Sequence, residues 1–300
     1  MQAAGPFLVV GLGEILWDLF PEGKILGGAP ANFAYHARVL GDEGIPASRI
    51  GGDELGREIR LRLAELGVPD GQVQTDPTRP TGTVQVELDA RGMPSFTITP
   101  EAAWDYLEWN ESLTGLAGKA DAVCFGSLAQ RSPQSRMTIR RFLSAMRRQA
   151  LRVFDVNLRQ SWYSEEVLSE SLAACSILKL NDGELPVVLR TLGLPEPSEP
   201  AQGCRLLRER FALELVCLTL GEMGSLLVGE GGDSRTSGFR VQVADTVGSG
   251  DAFTAALCHH RLRDAPLERI GQAANRYGAW VASQAGATPP APEEILREVR

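Results

Sequence analysis

Hydrophobic and polar positions divide the chain into segments of two periods. Phe7–Gly11 is a short apolar run that continues into Gly11-Leu12-Gly13, and its length and flanks predict a buried first strand. Gly27-Gly28-Ala29-Pro30-Ala31-Asn32 opens a helix in which Phe33, Ala37 and Leu40 recur at helical spacing and Gly41 marks the end. Glu54–Leu66 is a second amphipathic helix, stopped by Gly67. Thr83–Asp89 alternates instead, with Val84, Val86 and Leu88 on one side and Thr83, Gln85, Glu87 and Asp89 on the other. Ala90–Pro94 turns and Ser95–Thr99 alternates again, which predicts an antiparallel hairpin with one wet face.

From about residue 120 short apolar strands alternate with helices. The strands are Ala122–Gly126, Arg152–Val156, Ile177–Leu180 and Leu215–Thr219, the last with Ser225–Val228 as hairpin partner. Helices are expected over 133–149, 165–174 and 182–192. That rhythm predicts an α/β fold with a mostly parallel central sheet and helices on both faces. The Pro-rich stretch 195–200 reads as a loop, because the rhythm resumes beyond it. Residues 1–300 are therefore expected to form one domain, with a small β-sheet lid built from about 14–26 and 80–100.

Composition narrows the chemistry. The net charge of −8 argues against a nucleic-acid surface, which needs clustered Lys and Arg. The exceptions, Arg140-Arg141 and Arg147-Arg148, are expected on a solvated helix face. No stretch nears the roughly 18 consecutive apolar residues of a membrane span. Residues 1–13 lack the basic start of a signal peptide, so a cytoplasmic protein is expected. Cys124, Cys175, Cys204, Cys217 and Cys258 are scattered without Cys-x-x-Cys, which speaks against structural zinc and disulfides. His259-His260 reads as surface or partly packed rather than as a ligand pair.

Asp245–Phe253, Asp-Thr-Val-Gly-Ser-Gly-Asp-Ala-Phe, is the most informative stretch. Beyond Asp251, the positions Phe253, Ala256, Leu257 and His260 share one helical face, so Gly248, Ser249 and Gly250 turn into a helix N-terminus. Unpaired N–H groups and the helix dipole suit an anion there, and Asp251 stands ready to take a proton from an attacking hydroxyl; taken alone, the stretch also reads as an ordinary tight turn with Asp251 as the helix cap. In open α/β sheets, ligands bind beyond the carboxyl ends of the strands. Asp18, Asn32, Asn157, Arg159, Lys179, Asn181, Glu184, Thr219 and Gly221 all fall at such ends. Bland readings stay open for some of them: a tight turn for Gly27-Gly28, a helix cap with a first-turn carboxylate for Asn181 and Glu184, an ion pair for Arg159. A Walker-type phosphate loop and a dinucleotide fingerprint are both missing.

Gly27–Asn32 and Asp245–Phe253 resemble the N- and C-terminal signatures of the ribokinase/PfkB family of sugar kinases. Asp155-Val156-Asn157-Leu158-Arg159, Lys179-x-Asn181-x-x-Glu184, Thr219-Leu220-Gly221-x-x-Gly224, Thr81-Gly82-Thr83 and Gln284–Thr288 stand in the family's order, so the resemblance spans nearly the whole chain. It implies a ribokinase-like fold and an ATP-dependent kinase. Asp251 is then the catalytic base, with Gly248, Ser249 and Gly250 as the anion hole. Asp18, Gly28, Asn32 and Arg159 face the sugar. Lys179, Thr219, Gly221 and Gly224 line the ATP site, with Asn275 near the adenine. Asn181 and Glu184 hold Mg2+ through water, and the backbone near Asp245 and Val247 resembles a loop for a monovalent cation such as K+. Ser249 stands where the family usually has alanine, and Val156 where proline is common. Gly13–Asp18 with Asn157-Leu158-Arg159 looks most like fructokinases. The alternatives are a kinase for ribose or 2-keto-3-deoxygluconate, or an inactive family member that binds ligand as a regulator. A homodimer through the lid is also expected.

Overall fold

The computed structural model describes residues 5–21, 23–88 and 94–300. Strands β1 (Leu8–Leu12), β4 (Glu43–Gly51), β5 (Val73–Asp76), β8 (Ala122–Phe125), β9 (Leu151–Asp155), β10 (Ile177–Asn181), β11 (Leu215–Thr219), β12 (Ser225–Gly229) and β13 (Gly232–Thr236) form one sheet. Its order is β13-β12-β11-β10-β9-β8-β1-β4-β5. All pairs from β11 to β5 are parallel; β12 and β13 add antiparallel strands at one edge. Buried on both faces, β1, β8 and β11 read as continuous apolar runs rather than alternating ones.

Helices α1 (Ala29–Val39), α8 (Ser249–Arg261), α9 (Leu267–Ala282) and α10 (Glu293–Val299) cover one face, over a core that includes Val9, Phe33, Cys124, Val153, Cys217 and Tyr277. On the other face lie α3 (Glu111–Lys119), α4 (Pro133–Ala145), α5 (Glu165–Ala174), α6 (Glu184–Thr191) and α7 (Pro200–Phe211), over Val10, Leu12, Phe125, Phe154, Leu178 and Val216. Neighbouring residues of one strand thus enter opposite cores, as the strand period of two requires. No helix among the described residues is long and apolar enough to cross a membrane.

The second sheet is small: β2 (Leu16–Phe20), β3 (Gly23–Gly27), β6 (Gly82–Leu88) and β7 (Pro94–Ile98), in the order β3-β2-β6-β7. It is built from the two segments expected of a lid. Val84 and Ile98 are buried while Gln85 and Thr97 are exposed, the alternation the sequence predicts. The expected hairpin turn, 90–94, and Asp89 lie largely outside the described residues. Helix α2 (Glu54–Glu65) joins lid and body, burying Ile59 and Leu63 against Ile15, Trp17 and Tyr35.

Several expectations need correction. β4 has no counterpart in the sequence reading, because Gly44, Pro46 and Arg49 break its apolar pattern. The strand tolerates Pro46 since β5 pairs only with Ser48–Gly51, leaving the first half with β1 as its one neighbour. α4 ends at Ala145, so Arg147-Arg148 lie beyond it. Arg147 instead bonds to Asp121 and to the carbonyls of Lys119 and Ala120. His259 and His260 are both buried, not superficial. His259 Nδ1 meets Asp42 at 2.7 Å and His260 Nε2 meets the Val299 carbonyl at 2.8 Å, which replaces the hydrogen bonds water would have made.

Candidate active site

β1 and β2 are joined by Gly13-Glu14-Ile15, and this short link makes one wall of a cleft beyond the strand ends. Gly28, the N-cap of α1, has φ +105, and a Cβ there would lie 2.6 Å from the Glu14 carbonyl. Only glycine allows that approach at that backbone angle. The close contact sets the direction of α1 and aims Asn32, one turn in, at the opposite helix start. Asn32 Nδ2 donates to Asp251 Oδ2 at 2.8 Å across 219 residues of sequence. The two family-like signatures are therefore joined directly, through the residue expected to touch sugar.

Asp251 sits in the first turn of α8. Gly248 caps that helix with φ +78, packed so tightly that a Cβ would meet the Ala287 carbonyl at 2.5 Å. His36 on α1 holds the same carbonyl at 2.9 Å through Nε2, while its Nδ1 meets the Tyr277 hydroxyl. The turn is thus held from behind by α1 and α9. The N–H groups of Gly248, Gly250 and Asp251 meet no acceptor among the described residues. The expected donors were Gly248, Ser249 and Gly250, but the Ser249 N–H is taken by the Thr246 carbonyl at 3.3 Å; the three open groups suit an anion at a helix N-terminus. The Ser249 hydroxyl donates back to the Thr246 carbonyl at 2.8 Å and so closes the turn.

Burial pushes the Asp251 carboxyl up to about 6, and the negative charge of Asp155 adds to this; the Asn32 bond, Lys179 and Arg159 pull it back. A base poised near neutrality suits proton abstraction. Beneath it, Lys179 Nζ makes an ion pair with Asp155 at 3.1 Å, and Thr254 Oγ1 donates to Asp155 Oδ2 at 3.0 Å. Burial works against the Lys179 charge, yet Asp155, Glu184 and Asp251 outweigh it and hold the ammonium protonated. Lys179 therefore lies under the Gly250 turn, not on the Thr219–Gly224 loop with which the sequence groups it. Lys179 and Asp155 are register partners on neighbouring strands, a relation no local motif discloses.

A cavity of about 10 Å³, room for one water, opens between these parts. It is lined by Pro30, Gly126, Asp155, Asn157, Asp251 and Thr254 among others. Asn157 has φ +41, a left-handed conformation that asparagine tolerates, and this turns the chain after β9 toward the cleft. Arg159, two residues on, is exposed; its charge acts on Asp18, Glu14 and Asp251 alike. Asp18 on β2 is half-buried with its carboxylate against Gly27. Burial raises it to about 6, with Arg159 opposing and Asp245 adding to the shift.

Asn181 and Glu184 form a reciprocal cap. Asn181 Oδ1 accepts from Glu184 N–H, and Glu184 Oε2 accepts from Asn181 N–H, both at 2.9 Å. Glu184 Oε1 accepts from Leu158 N–H at 2.8 Å, which ties α6 to the Arg159 loop. Both carboxylate oxygens are thus engaged, and no group of three or more acidic, His or Cys side chains suited to a metal occurs among the described residues. The free lone pairs fit a magnesium held through water and phosphate oxygens, not one caged by protein.

On the far side, Thr219 pairs in register with Asn181, and the turn through Gly221 closes with Gly224 N–H on the Gly221 carbonyl. Asn275 is buried on α9 and donates to Ser225 Oγ and the Gly271 carbonyl, both at 2.8 Å, so it supports that turn from behind. Asp245 accepts from Val247 N–H at 3.0 Å and from Gly286 N–H at 3.3 Å, bracing the loop before α8 against the tail; Val247 itself is exposed. Glu14, Asp155 and His36 carry no role in the sequence reading, although all three belong to this arrangement.

The pfkB family carbohydrate kinase profile matches residues 22–294. A fructokinase of Klebsiella pneumoniae is 33% identical over 259 residues, covering 82% of this chain and 81% of its own. The crystal structure of an uncharacterised sugar kinase of Pyrococcus horikoshii in complex with ATP is similar at 27% identity and TM-score 0.81, over 98% of this chain and 100% of its own. A Xylella fastidiosa fructokinase with bound ATP shares the fold at 22% identity and TM-score 0.84, over 98% of each chain.

Proposed function

The chain belongs to the pfkB family of carbohydrate kinases, and from that premise we infer that it transfers the γ-phosphoryl of ATP to a hydroxyl of D-fructose. The observation that carries the mechanism is the Asn32–Asp251 bond beside the open N–H groups of the Gly248–Asp251 turn. Asp251 takes the proton of the attacking hydroxyl, and Asn32 orients its carboxylate. Gly248, Gly250 and Asp251 present open backbone donors to the transferring phosphoryl, where charge spreads over three oxygens, and Ser249 closes the turn that carries them. Asp18, Gly28, Asn32 and Arg159 hold the sugar under the lid. Thr219, Gly221 and Gly224 flank the nucleotide, with Asn275 behind them and Lys179 setting the charge under the phosphates.

Asn181 and Glu184 would hold a hydrated Mg2+, which would neutralise phosphate charge when bound. The carbonyls around Asp245 and Val247 suit a monovalent cation such as K+. A homodimer through the lid fits the free edges of β3 and β7, since unpaired strand edges pair readily with another chain. A cytoplasmic location accords with five free cysteines.

Fructose is favoured over ribose and 2-keto-3-deoxygluconate by the Gly13–Asp18 element and by the Klebsiella relative. A kinase assay with ATP and magnesium across a sugar panel decides the matter. D-fructose is expected to give the highest kcat/KM. A clear preference for ribose or a sugar acid removes the fructose assignment and leaves the base and fold in place. Absence of phosphorylation with every sugar, against normal ligand binding, supports the regulatory reading instead.

A further inference from the structure

The Gly248 turn rests on Ala287. A Cβ added at Gly248 would lie 2.5 Å from the Ala287 carbonyl oxygen, 2.7 Å from its Cα and 2.8 Å from its Cβ. The turn therefore has no slack in that direction, and a shift of Ala287 passes to the open N–H groups of Gly248, Gly250 and Asp251. Ala287 belongs to the irregular segment between α9 and α10, where no helix or strand ladder fixes its carbonyl. That carbonyl takes no backbone N–H among the described residues; it accepts from His36 Nε2 at 2.9 Å.

The second ring nitrogen fixes what His36 can do. A carbonyl only accepts, so Nε2 carries the proton. In a neutral imidazole Nδ1 is then an acceptor, and the Tyr277 hydroxyl donates to it at 2.9 Å. Tyr35 and Tyr277 pack edge-on against the ring, with centroids 5.1 and 5.2 Å away, and hold its plane. His36 and Tyr277 are fully buried and Ala287 is 1% exposed, so bulk water cannot replace either bond. Burial pushes the His36 ring down to about 4, which keeps it neutral near pH 7; the Ala287 bond acts the other way. His36 stands one turn after Asn32, so one face of α1 reaches both the Asp251 carboxylate and the support of the donors beside it.

We propose that His36 is a positioning residue for phosphoryl transfer: its Nε2–H fixes the Ala287 carbonyl, and Ala287 keeps the open N–H groups of the Gly248 turn in register with Asp251. Tyr277 has the lesser task of selecting the tautomer. His36 itself touches neither sugar nor nucleotide. The proposal rests on the reading of the Gly248–Asp251 turn as the phosphoryl site.

The test separates the two ring bonds. Gln places an amide NH2 near Nε2, and Asn places an amide oxygen near Nδ1. His36→Gln therefore keeps the bond to Ala287, and His36→Asn keeps the bond to Tyr277. Tyr277→Phe removes the hydroxyl and spares the Ala287 bond. All three variants are expected to lower Tm, since each leaves a buried polar group unpaired. Only His36→Asn should lower kcat strongly, by about 10- to 100-fold, because misplaced donors are felt in the transition state. Its sugar and ATP KM should stay within about threefold of wild type, and so should the kcat of His36→Gln and Tyr277→Phe. Activity is read with the sugar that the wild type phosphorylates best. Equal kcat losses in His36→Asn and Tyr277→Phe, or in both His36 variants, would make His36 a packing residue and overturn the proposal. Wild-type kcat in His36→Asn would overturn it as well. 15N NMR of the wild-type ring needs no turnover and decides the case in which His36→Asn fails to fold. The neutral Nε2–H form is expected, and an Nδ1–H or charged ring would overturn the proposal. A wild type that phosphorylates no sugar would refute the kinase reading instead, and the tautomer would still be read independently of it.

Discussion

Asp251 and Asn32 concentrate the chemistry into a single 2.8 Å contact. The carboxylate is a base only when ionised, and its pKa is raised to about 6, so turnover is expected to fall as pH drops through 6 and to level off above it. Measuring kcat/KM between pH 5 and 8 checks this; a profile flat to pH 5 would contradict the desolvated base. Asp251→Asn should lower kcat by about 10² to 10⁴ and change sugar affinity only a few-fold, because a general base acts in the transition state. A variant retaining more than about a tenth of the activity would make Asp251 a simple helix cap. The same substitution carries a stability consequence. A carboxyl whose folded pKa exceeds its unfolded 3.8 binds protons more readily when folded, so its ionised form works against the fold above pH 6 and ceases to below about 4. Asp251→Asn removes that penalty while keeping an acceptor for Asn32, and Tm is expected to rise by about 2–4 °C at pH 7.5 and little at pH 4.

Element ends do most of the positioning. α1 reaches the α8 turn through Asn32 and the tail through His36, and Tyr35 adds a bond from its hydroxyl to the Pro289 carbonyl at 2.9 Å. One helix thus fixes both Asp251 and the Gly248 turn. The start of α6 works the same way, through the reciprocal Asn181–Glu184 cap and the Leu158 N–H bond. Both readings left open by the sequence for Glu184 now bear on one experiment. Glu184→Gln turns one acceptor into an NH2 facing a backbone N–H, so a stability loss of about 1–3 kcal/mol is expected in urea unfolding. If the carboxylate also steadies a hydrated magnesium, the metal concentration for half-maximal rate should rise several-fold. A destabilised enzyme with an unchanged magnesium requirement would leave Glu184 a cap alone, and full activity in excess chelator would remove the metal altogether.

At the scale of the whole molecule, the parallel sheet gathers the candidate residues along one edge. The proposed sugar side takes its residues from β1, β2 and α1, and the proposed nucleotide side from β10, β11 and α9, with α8 supplying Asp251. Separate walls predict separable effects. Asp18→Ala should raise the sugar KM about tenfold or more, since a charged hydrogen bond is worth roughly 1.5–3 kcal/mol, and leave the ATP KM nearly unchanged. An unchanged sugar KM would put the sugar away from the lid.

Local pattern was enough for much of this. Period and flanking glycines disclose the αβ rhythm, the lid hairpin and the helix N-terminus at Gly248–Asp251, because these depend on neighbours within a few residues. The two signatures, 219 residues apart at Asn32 and Asp251, announce the site without saying that they touch. β4 was illegible, since Pro46 is tolerated only because of where β5 stops. The Lys179–Asp155 pair depends on which strands are neighbours, and burial of His259 depends on Asp42 arriving from 217 residues away. Glu14 has the same character. Its identity is plain in the chain, but its burial, its unpartnered carboxyl oxygen and its raised pKa exist only once the fold surrounds it. Periodicity is a short-range property fixed by backbone geometry, whereas desolvation and charge coupling are sums over everything the fold brings near.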